Sequence, residues 1–246
     1  MSYTDFAFVY DILMGDVDYS ARTEYLLKLF EKHGKLPTLL LDLACGTGGF
    51  SIPFSKKGIE VIGADMSEDM LSVAREKAME AEENILFLCQ SAQELDLYGT
   101  VDSAVCCIDS LNHITDKAEL QKAIDRVSLF LEKDCLFIFD VNTEYKHRII
   151  LGDNTFVFDE DEVYCVWQNA FDEETLTTDI ALDFFIADGD GYYRTSEEFS
   201  ERAYTHTEIS KILEKAGLGI VAVYDDLSEN PPTDTSERII YVTKKI

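Results

Sequence analysis

An apolar run, Leu39 to Leu41, meets an acid, Asp42, and then a loop of small residues, Ala44-Cys45-Gly46-Thr47-Gly48-Gly49, before a helical pattern opens near Phe50. A second apolar run, Val61-Ile62-Gly63-Ala64, ends on another acid, Asp65. Short apolar runs bounded by glycine suit buried strands, and a strand that feeds a helix through a tight loop begins a parallel crossover. The alternation continues downstream. Ser67 can cap a helix running to about Ala81, with Met70, Leu71, Ala74 and Ala78 turned inward. Strands follow over Ile85 to Cys89 and Val101 to Ile108. A helix from about Asp116 to Leu131 carries Leu120, Ile124 and Val127 on one face, and Cys135 to Val141 reads as a fifth strand. Upstream, residues 19–33 form an amphipathic helix that Gly34 can close. Strand–helix alternation over 39–141 predicts a doubly wound, mostly parallel α/β sheet.

The pattern changes beyond residue 148. Residues 149–201 contain fifteen acids and one base, Arg194. Leu176, Thr178, Ile180, Leu182, Phe184 and Ile186 alternate with mostly polar neighbours, the mark of a strand with one buried face. Asp188-Gly189-Asp190-Gly191 predicts a hairpin turn with Tyr192 starting the return strand. An antiparallel β-subdomain is therefore expected as an insertion over 149–204. Its acids form a solvated face or, alternatively, an acidic pocket for a cationic substrate. Thr205-His206-Thr207-Glu208 fits a capping box, and the helix it opens closes at Gly217. The last two strands, Ile220 to Tyr224 and Ile239 to Thr243, have no helix between them, which permits an antiparallel pair. The division expected is 1–148 for the N-terminal segment and core, 149–204 for the insert, and 205–246 for the helix and strand pair that complete the core.

The bulk composition narrows the partners. The chain has 246 residues, 46% of them hydrophobic, with 48 acids against 21 bases and a net charge of −27. A surface this acidic repels phosphate backbones and anionic headgroups, so neither nucleic acid nor membrane is expected as a partner. No C-x-x-C occurs, and the histidines (His33, His113, His147, His206) are scattered, so no metal site is expected. The six cysteines (Cys45, Cys89, Cys106, Cys107, Cys135, Cys165) read as reduced thiols in a cytoplasm. Met1 is followed by polar residues with no apolar leader, and no apolar run approaches the ~20 residues of a membrane span. A monomer or homodimer fits these features.

In open α/β sheets, ligands bind beyond the carboxyl ends of the strands, where strand order reverses. Gly46 and Gly48 allow a ligand close to the backbone there. A dinucleotide fingerprint needs a third glycine, but Ser51 stands at that position. Asp42 at the loop entrance opposes a pyrophosphate and favours an ammonium group, which points to S-adenosylmethionine rather than NAD. A second reading of Asp42 is that it caps local backbone amides. Asp65 can hold both ribose hydroxyls or cap the following helix, and Met66 can pack on adenine or belong to the core.

These residues resemble the class I S-adenosylmethionine-dependent methyltransferases. Asp42-Leu43-Ala44-Cys45-Gly46-Thr47-Gly48 is similar to their first motif, and the spacing to Asp65 matches. Phe6-Ala7-Phe8-Val9-Tyr10-Asp11 and Asp109-Ser110-Leu111-Asn112-His113 resemble a bacterial small-molecule branch with an inserted β-region. The resemblance implies a Rossmann-like fold with an antiparallel last strand. It implies that Ala44, Cys45 and Gly46 line the methionine moiety, with Ile108 and Asp109 flanking its end. Ser91 and Ala92 would face the adenine edge, and Tyr10 would close over the cofactor. Ala44 departs from a common glycine, and Ser91 from a common acid. The activity implied is methyl transfer to a small-molecule acceptor, with Asn112, His113, Arg202 and Tyr204 as acceptor-site residues. His113 can serve as a base or as a hydrogen-bonded wall; Arg202 can bind a substrate carboxylate or pair with Glu201 and its neighbours. Other readings are a non-catalytic S-adenosylmethionine-binding module, an NAD-dependent oxidoreductase, which Asp42 and the missing glycine disfavour, and transfer of a larger group from a modified sulfonium.

Overall fold

The computed structural model describes residues 4–246; Met1–Tyr3, the start of the segment expected to carry no apolar leader, lie outside the described residues. The chain runs α1 (Thr4–Leu13), α2 (Tyr19–His33), β1 (Leu39–Leu43), α3 (Ser51–Lys56), β2 (Glu60–Asp65), α4 (Glu68–Glu80), β3 (Leu86–Cys89), β4 (Val101–Cys106), α5 (Lys117–Phe130) and β5 (Leu131–Asn142). Then come β6 (Thr155–Asp159), β7 (Val163–Asp172), β8 (Thr177–Asp188) and β9 (Gly191–Arg202), followed by α6 (His206–Lys215), β10 (Leu218–Asp225) and β11 (Arg238–Lys245). The caps expected from sequence form: Ser67 accepts from the Met70 N–H, and Thr205 and Glu208 make a reciprocal capping box. The expected strand over 101–108 stops at Cys106, because Ile108 and Asp109 turn into left-handed conformations. The fifth strand starts earlier than expected, directly out of α5.

One sheet has the order β10-β11-β5-β4-β1-β2-β3. β1 pairs in parallel with β2 and β4, and β11 runs antiparallel between β5 and β10. Its central strands are buried on both faces, as parallel strands between helical layers must be. Leu41, Leu43, Ala104, Phe137 and Phe139 pack towards α5 and α6, while Leu40, Val105, Ile138 and Ile240 pack on Leu26, Leu29 and Phe30 of α2. The chain leaves β1 for β2 on one side and reaches β4 on the other, so strand order reverses between β1 and β4 and opens a crevice at their carboxyl ends.

The second sheet is antiparallel, in the order β6-β7-β8-β9. The alternation read along residues 176–186 is real: Thr178, Ile180, Leu182, Phe184 and Ile186 are buried. Their partner is α1, whose Val9 joins Val163, Cys165, Ile180 and Phe184 in one apolar cluster. Asp11 of the same helix accepts from Thr47 Oγ1 at 2.6 Å and Lys77 Nζ at 2.7 Å. α1 thus ties the second sheet to the loop after β1. Five of the six cysteines are buried; Cys89 is exposed, at the last position of an edge strand.

Candidate active site

The loop after β1 is held open by its backbone. Ala44, Gly46 and Gly48 have φ of 56°, 53° and 79°. For Ala44 this left-handed geometry costs about 1 kcal/mol that a glycine would avoid. The Cys45 N–H donates to the Ala64 carbonyl (3.1 Å), and Asp65 accepts from Gly46 N–H through Oδ2 (2.8 Å) and from Ser67 N–H through Oδ1 (2.9 Å). Asp65 therefore fixes the loop to the end of β2 and also starts α4; burial raises its pKa. A Cβ built on Gly46 would meet nothing within 4 Å, so the loop faces open space there. Met66, next to Asp65, is 71% exposed at this rim. Ser91, which starts a short 3-10 turn containing Ala92, gives its hydroxyl to Glu94 at 3.2 Å.

Asp42 lies behind this loop. It is buried, accepts from Ser51 Oγ at 2.5 Å, and burial pushes its pKa up to about 7. The hydrogen bond it makes is to a side-chain hydroxyl at the start of α3. Its field acts alongside that of Asp65, which raises it further. Burial raises Tyr10 well above an ordinary phenol, and Tyr19 and Asp109 add to the shift.

The opposite wall is built on Asp140, the acid inside the apolar run of β5. It accepts the N–H groups of Ile108 (2.8 Å) and Asp109 (2.7 Å), which stabilises their left-handed turn. Arg238, at the start of β11, spans Asp109 (2.5 Å) and Asp140 (3.3 Å). Burial works to raise Asp109, but Arg238, Lys146, His113 and His147 outweigh it and hold the pKa below the usual range. Asn112 is buried and wholly engaged with backbone: its amide nitrogen donates to the carbonyls of Arg202 (2.8 Å) and Asn142 (3.2 Å), and its oxygen accepts from Asn142 N–H at 3.0 Å. It clamps the second sheet onto the loop after β4.

That clamp brings together groups that the linear sequence separates. Glu201, the last of the fifteen acids, is buried, with Oε1 3.6 Å from His113 Nε2 and Oε2 3.8 Å from His147 Nε2. Burial pushes Glu201 up to about 8, with Asp109 adding to the shift. Burial also takes His147, whose Nδ1 lies 2.8 Å from Thr178 Oγ1, down to about 4. His113 keeps 45% of its side-chain surface open, so the lowering of its pKa by burial is partial, and Asp109 and Asp65 oppose it. Two of the four histidines thus converge on one acid rather than scattering.

Arg202 and Tyr204 point elsewhere, because successive strand residues face opposite sides. Arg202 pairs with Glu208 (3.4 Å) and donates to the Thr115 carbonyl (3.3 Å) rather than pairing with Glu201, and the Tyr204 hydroxyl donates to the Ile114 carbonyl. Both hold the loop that carries His113. Tyr192 and Tyr193 are exposed at the β8–β9 hairpin. Beyond Arg238 lies an open cleft of about 420 Å³ lined by Arg22, Lys146, Asp225, Asp226 and Glu237, within the size range of small-molecule sites.

The chain spans 98% of YqeM of Bacillus subtilis (strain 168), a protein provisionally named a methyltransferase, at 32% identity over all 246 residues. It belongs to the class I S-adenosylmethionine-dependent methyltransferases. The sequence pattern of the family described as "Methyltransferase domain" matches residues 40–134. The crystal structure of an S-adenosylmethionine-dependent methyltransferase from Clostridium acetobutylicum ATCC 824 is 34% identical and superposes with a TM-score of 0.90 over 98% of both chains. The sugar N-methyltransferase KedS8 from Streptoalloteichus sp ATCC 53650, at 18% identity, shares the fold, with a TM-score of 0.76 over 95% of this chain and 92% of its own. The cofactor of this methyltransferase is S-adenosylmethionine, and the crevice fits it: the loop face at Gly46 is open, and a carboxylate, Asp65, closes β2. Among the described residues, no helix is long and apolar enough to cross a membrane.

Proposed function

We propose that this methyltransferase methylates a small molecule bound between the carboxyl ends of β4 and β5 and the second sheet. Residues 1–148 and 205–246 act as the cofactor-holding core, and residues 149–204 act as a cover over the acceptor. The observation that carries this reading is the approach of Glu201, on the second sheet, to His113, on the core loop, at 3.6 Å. The fold shared with a sugar N-methyltransferase also supports a small-molecule acceptor. Unpaired thiols at all six cysteines suit a reducing cytoplasm.

When bound, the cofactor supplies a carbon already activated by its positive sulfur. The chain's own residues therefore act mainly by alignment. Asp65 receives the ribose hydroxyls, Met66 covers adenine, and Ser91 and Ala92 border its edge. Ala44, Cys45, Gly46 and Gly48 offer backbone along the amino-acid end. Asp42 stands behind them, Ile108 and Asp109 lie opposite, and Tyr10 shields the site from water. Alignment contributes roughly 7–11 kcal/mol in such reactions, and a base about 3–5 kcal/mol more. His113 is that base: its ring is half-open to the site and backed by Glu201. Asn112, Arg202 and Tyr204 hold the His113 loop in place.

The test supplies methyl-labelled S-adenosylmethionine and a metabolite extract to the full chain. Label should enter a small molecule, and His113→Ala should lower the rate about 10²–10⁴-fold while leaving S-adenosylhomocysteine affinity within about threefold. Label confined to macromolecules, or an unimpaired His113→Ala, contradicts the reading.

A further inference from the structure

The acceptor wall is unusual in what it leaves unsatisfied. One acceptor atom each from Asp109, His113 and Glu201 lie within 4.8 Å of one another. Behind them, His147 is fully buried and its Nε2 has no hydrogen-bond partner, although it lies 3.8 Å from Glu201 Oε2. A buried nitrogen without a partner costs about 1–3 kcal/mol unless something completes the network. Asp109 already accepts from Arg238 and Glu201 Oε2 accepts a long bond from Asn142 Nδ2 (3.5 Å), which leaves the face shared by Asp109, His113 and Glu201 rich in acceptors.

Two kinds of cation could fill such a cluster, and charge and donor number separate them. Three points no more than 4.8 Å apart can all lie about 2.8 Å from a common centre. That is the length of an N⁺–H···O⁻ hydrogen bond, about 2.7–2.9 Å. The Arg238 guanidinium, 2.5 Å from Asp109, repels a divalent ion placed on that carboxylate about twice as strongly as a singly charged one. A primary ammonium carries one charge and three N–H donors, the same set as a lysine head group, which matches three acceptors in number.

We propose that the acceptor of this methyltransferase is a primary amine whose ammonium group is received by Asp109, His113 and Glu201, and that the methyl group is transferred to that nitrogen. The inference rests on the methyl-transfer reading above and names its substrate class. The balance closes with groups at the site. The ammonium gives one proton to His113 Nε2, which frees the nitrogen lone pair. That pair forms the N–CH₃ bond as the carbon–sulfur bond breaks and its electron pair stays on sulfur. The methylated amine leaves as an ammonium, and His113 returns its proton to solvent through its open edge. The bound cation favours the ionised form of Glu201, and Glu201 and Asp109 then hold the nitrogen in line.

The experiment uses the full chain, methyl-deuterated S-adenosylmethionine and a metabolite extract, untreated or pretreated with an acylating reagent that blocks primary amines. The result expected is a labelled product that disappears after acylation and carries deuterium on nitrogen. A labelled product that survives acylation, or label on oxygen or carbon, overturns the amine proposal and leaves small-molecule methyl transfer standing. No labelled small molecule from either extract brings down both readings. Dependence of the label on added divalent metal after chelation also overturns the amine proposal. With the amine recovered from this screen, Glu201→Gln and, separately, His113→Gln should weaken amine binding at least tenfold in calorimetry, with S-adenosylhomocysteine affinity within threefold of the parent. The half-exposed His113 keeps the test available if Glu201→Gln fails to fold. Unchanged amine affinity in the folded variants refutes the proposal.

Discussion

Asp65→Asn separates binding from architecture more sharply than other single changes. The carboxylate already accepts two backbone N–H groups, from Gly46 at 2.8 Å and Ser67 at 2.9 Å. In the bound state it would also receive two ribose hydroxyls. Asparagine keeps one acceptor oxygen and turns the other corner into a donor that faces an N–H. Hydrogen bonds to a charged group contribute about 1.5–3 kcal/mol and neutral ones about 0.5–1.5 kcal/mol. Two ribose bonds that lose charge assistance therefore lose about 2–3 kcal/mol together, or roughly 30–150-fold in Kd. The donor–donor conflict acts on the free protein as well, at about 1–3 kcal/mol, but relief of the buried charge offsets part of it, since burial already raises the Asp65 pKa. Calorimetric titration with S-adenosylhomocysteine should show the affinity loss, while the melting temperature falls by only a few degrees. A Kd within threefold of the parent would refute the ribose role.

Gly46→Ala should cost only about 1 kcal/mol of stability, because its Cβ meets nothing within 4 Å; the same methyl should block the cofactor and weaken S-adenosylhomocysteine at least tenfold, and equal affinity would show that this face is not the binding face. Arg238→Met leaves Asp109 and Asp140 buried without their cation, so the melting temperature at pH 7 should fall by about 6–20 °C, from about 3–5 kcal/mol at roughly 2–4 °C each. Because Arg238 holds Asp109 low, that stabilisation exists above the unfolded pKa near 3.8 and fades as pH falls through the folded value; a deficit that grows in acid would contradict this sign. His147 has a folded pKa of about 4 against 6.5 unfolded, so its contribution is full above pH 6.5 and is lost as pH falls towards 4, about 3 kcal/mol in all. His147→Asn should flatten that part of the pH–stability curve in chemical denaturation, and an unchanged slope would place the titration elsewhere.

The cofactor wall was legible because its signals are local. Asp65 ends β2, Asp42 stands one residue before the end of β1, Gly46 and Gly48 sit in the loop that follows, and Ser67 and Thr205 cap helices within three residues. Asp42 shows the limit of such reading: its position was plain, but its partner, Ser51, lies on the next helix and its hydroxyl offers no signal of its own. The left-handed turn at Ile108 and Asp109 was hidden because β-branched Ile108 disfavours it; Asp140, 32 and 31 residues further along the chain, imposes it through two N–H bonds. Glu201 was lost among fourteen acids that look alike in sequence, and only the register opposite Thr178 and the Asn112 clamp turn it inward. The same alternation explains why Arg202, its neighbour, meets Glu208 instead. An acid inside an apolar strand, as in Phe139-Asp140-Val141, is the one signal that could have marked the second wall from sequence.

The most direct test is a crystal structure of the full chain with S-adenosylhomocysteine. The account predicts ribose hydroxyls on Asp65, the amino-acid end along Ala44–Gly46, and the sulfur facing the Asp109–His113–Glu201 wall. A nucleoside bound away from Asp65, or a sulfur turned from that wall, would contradict it.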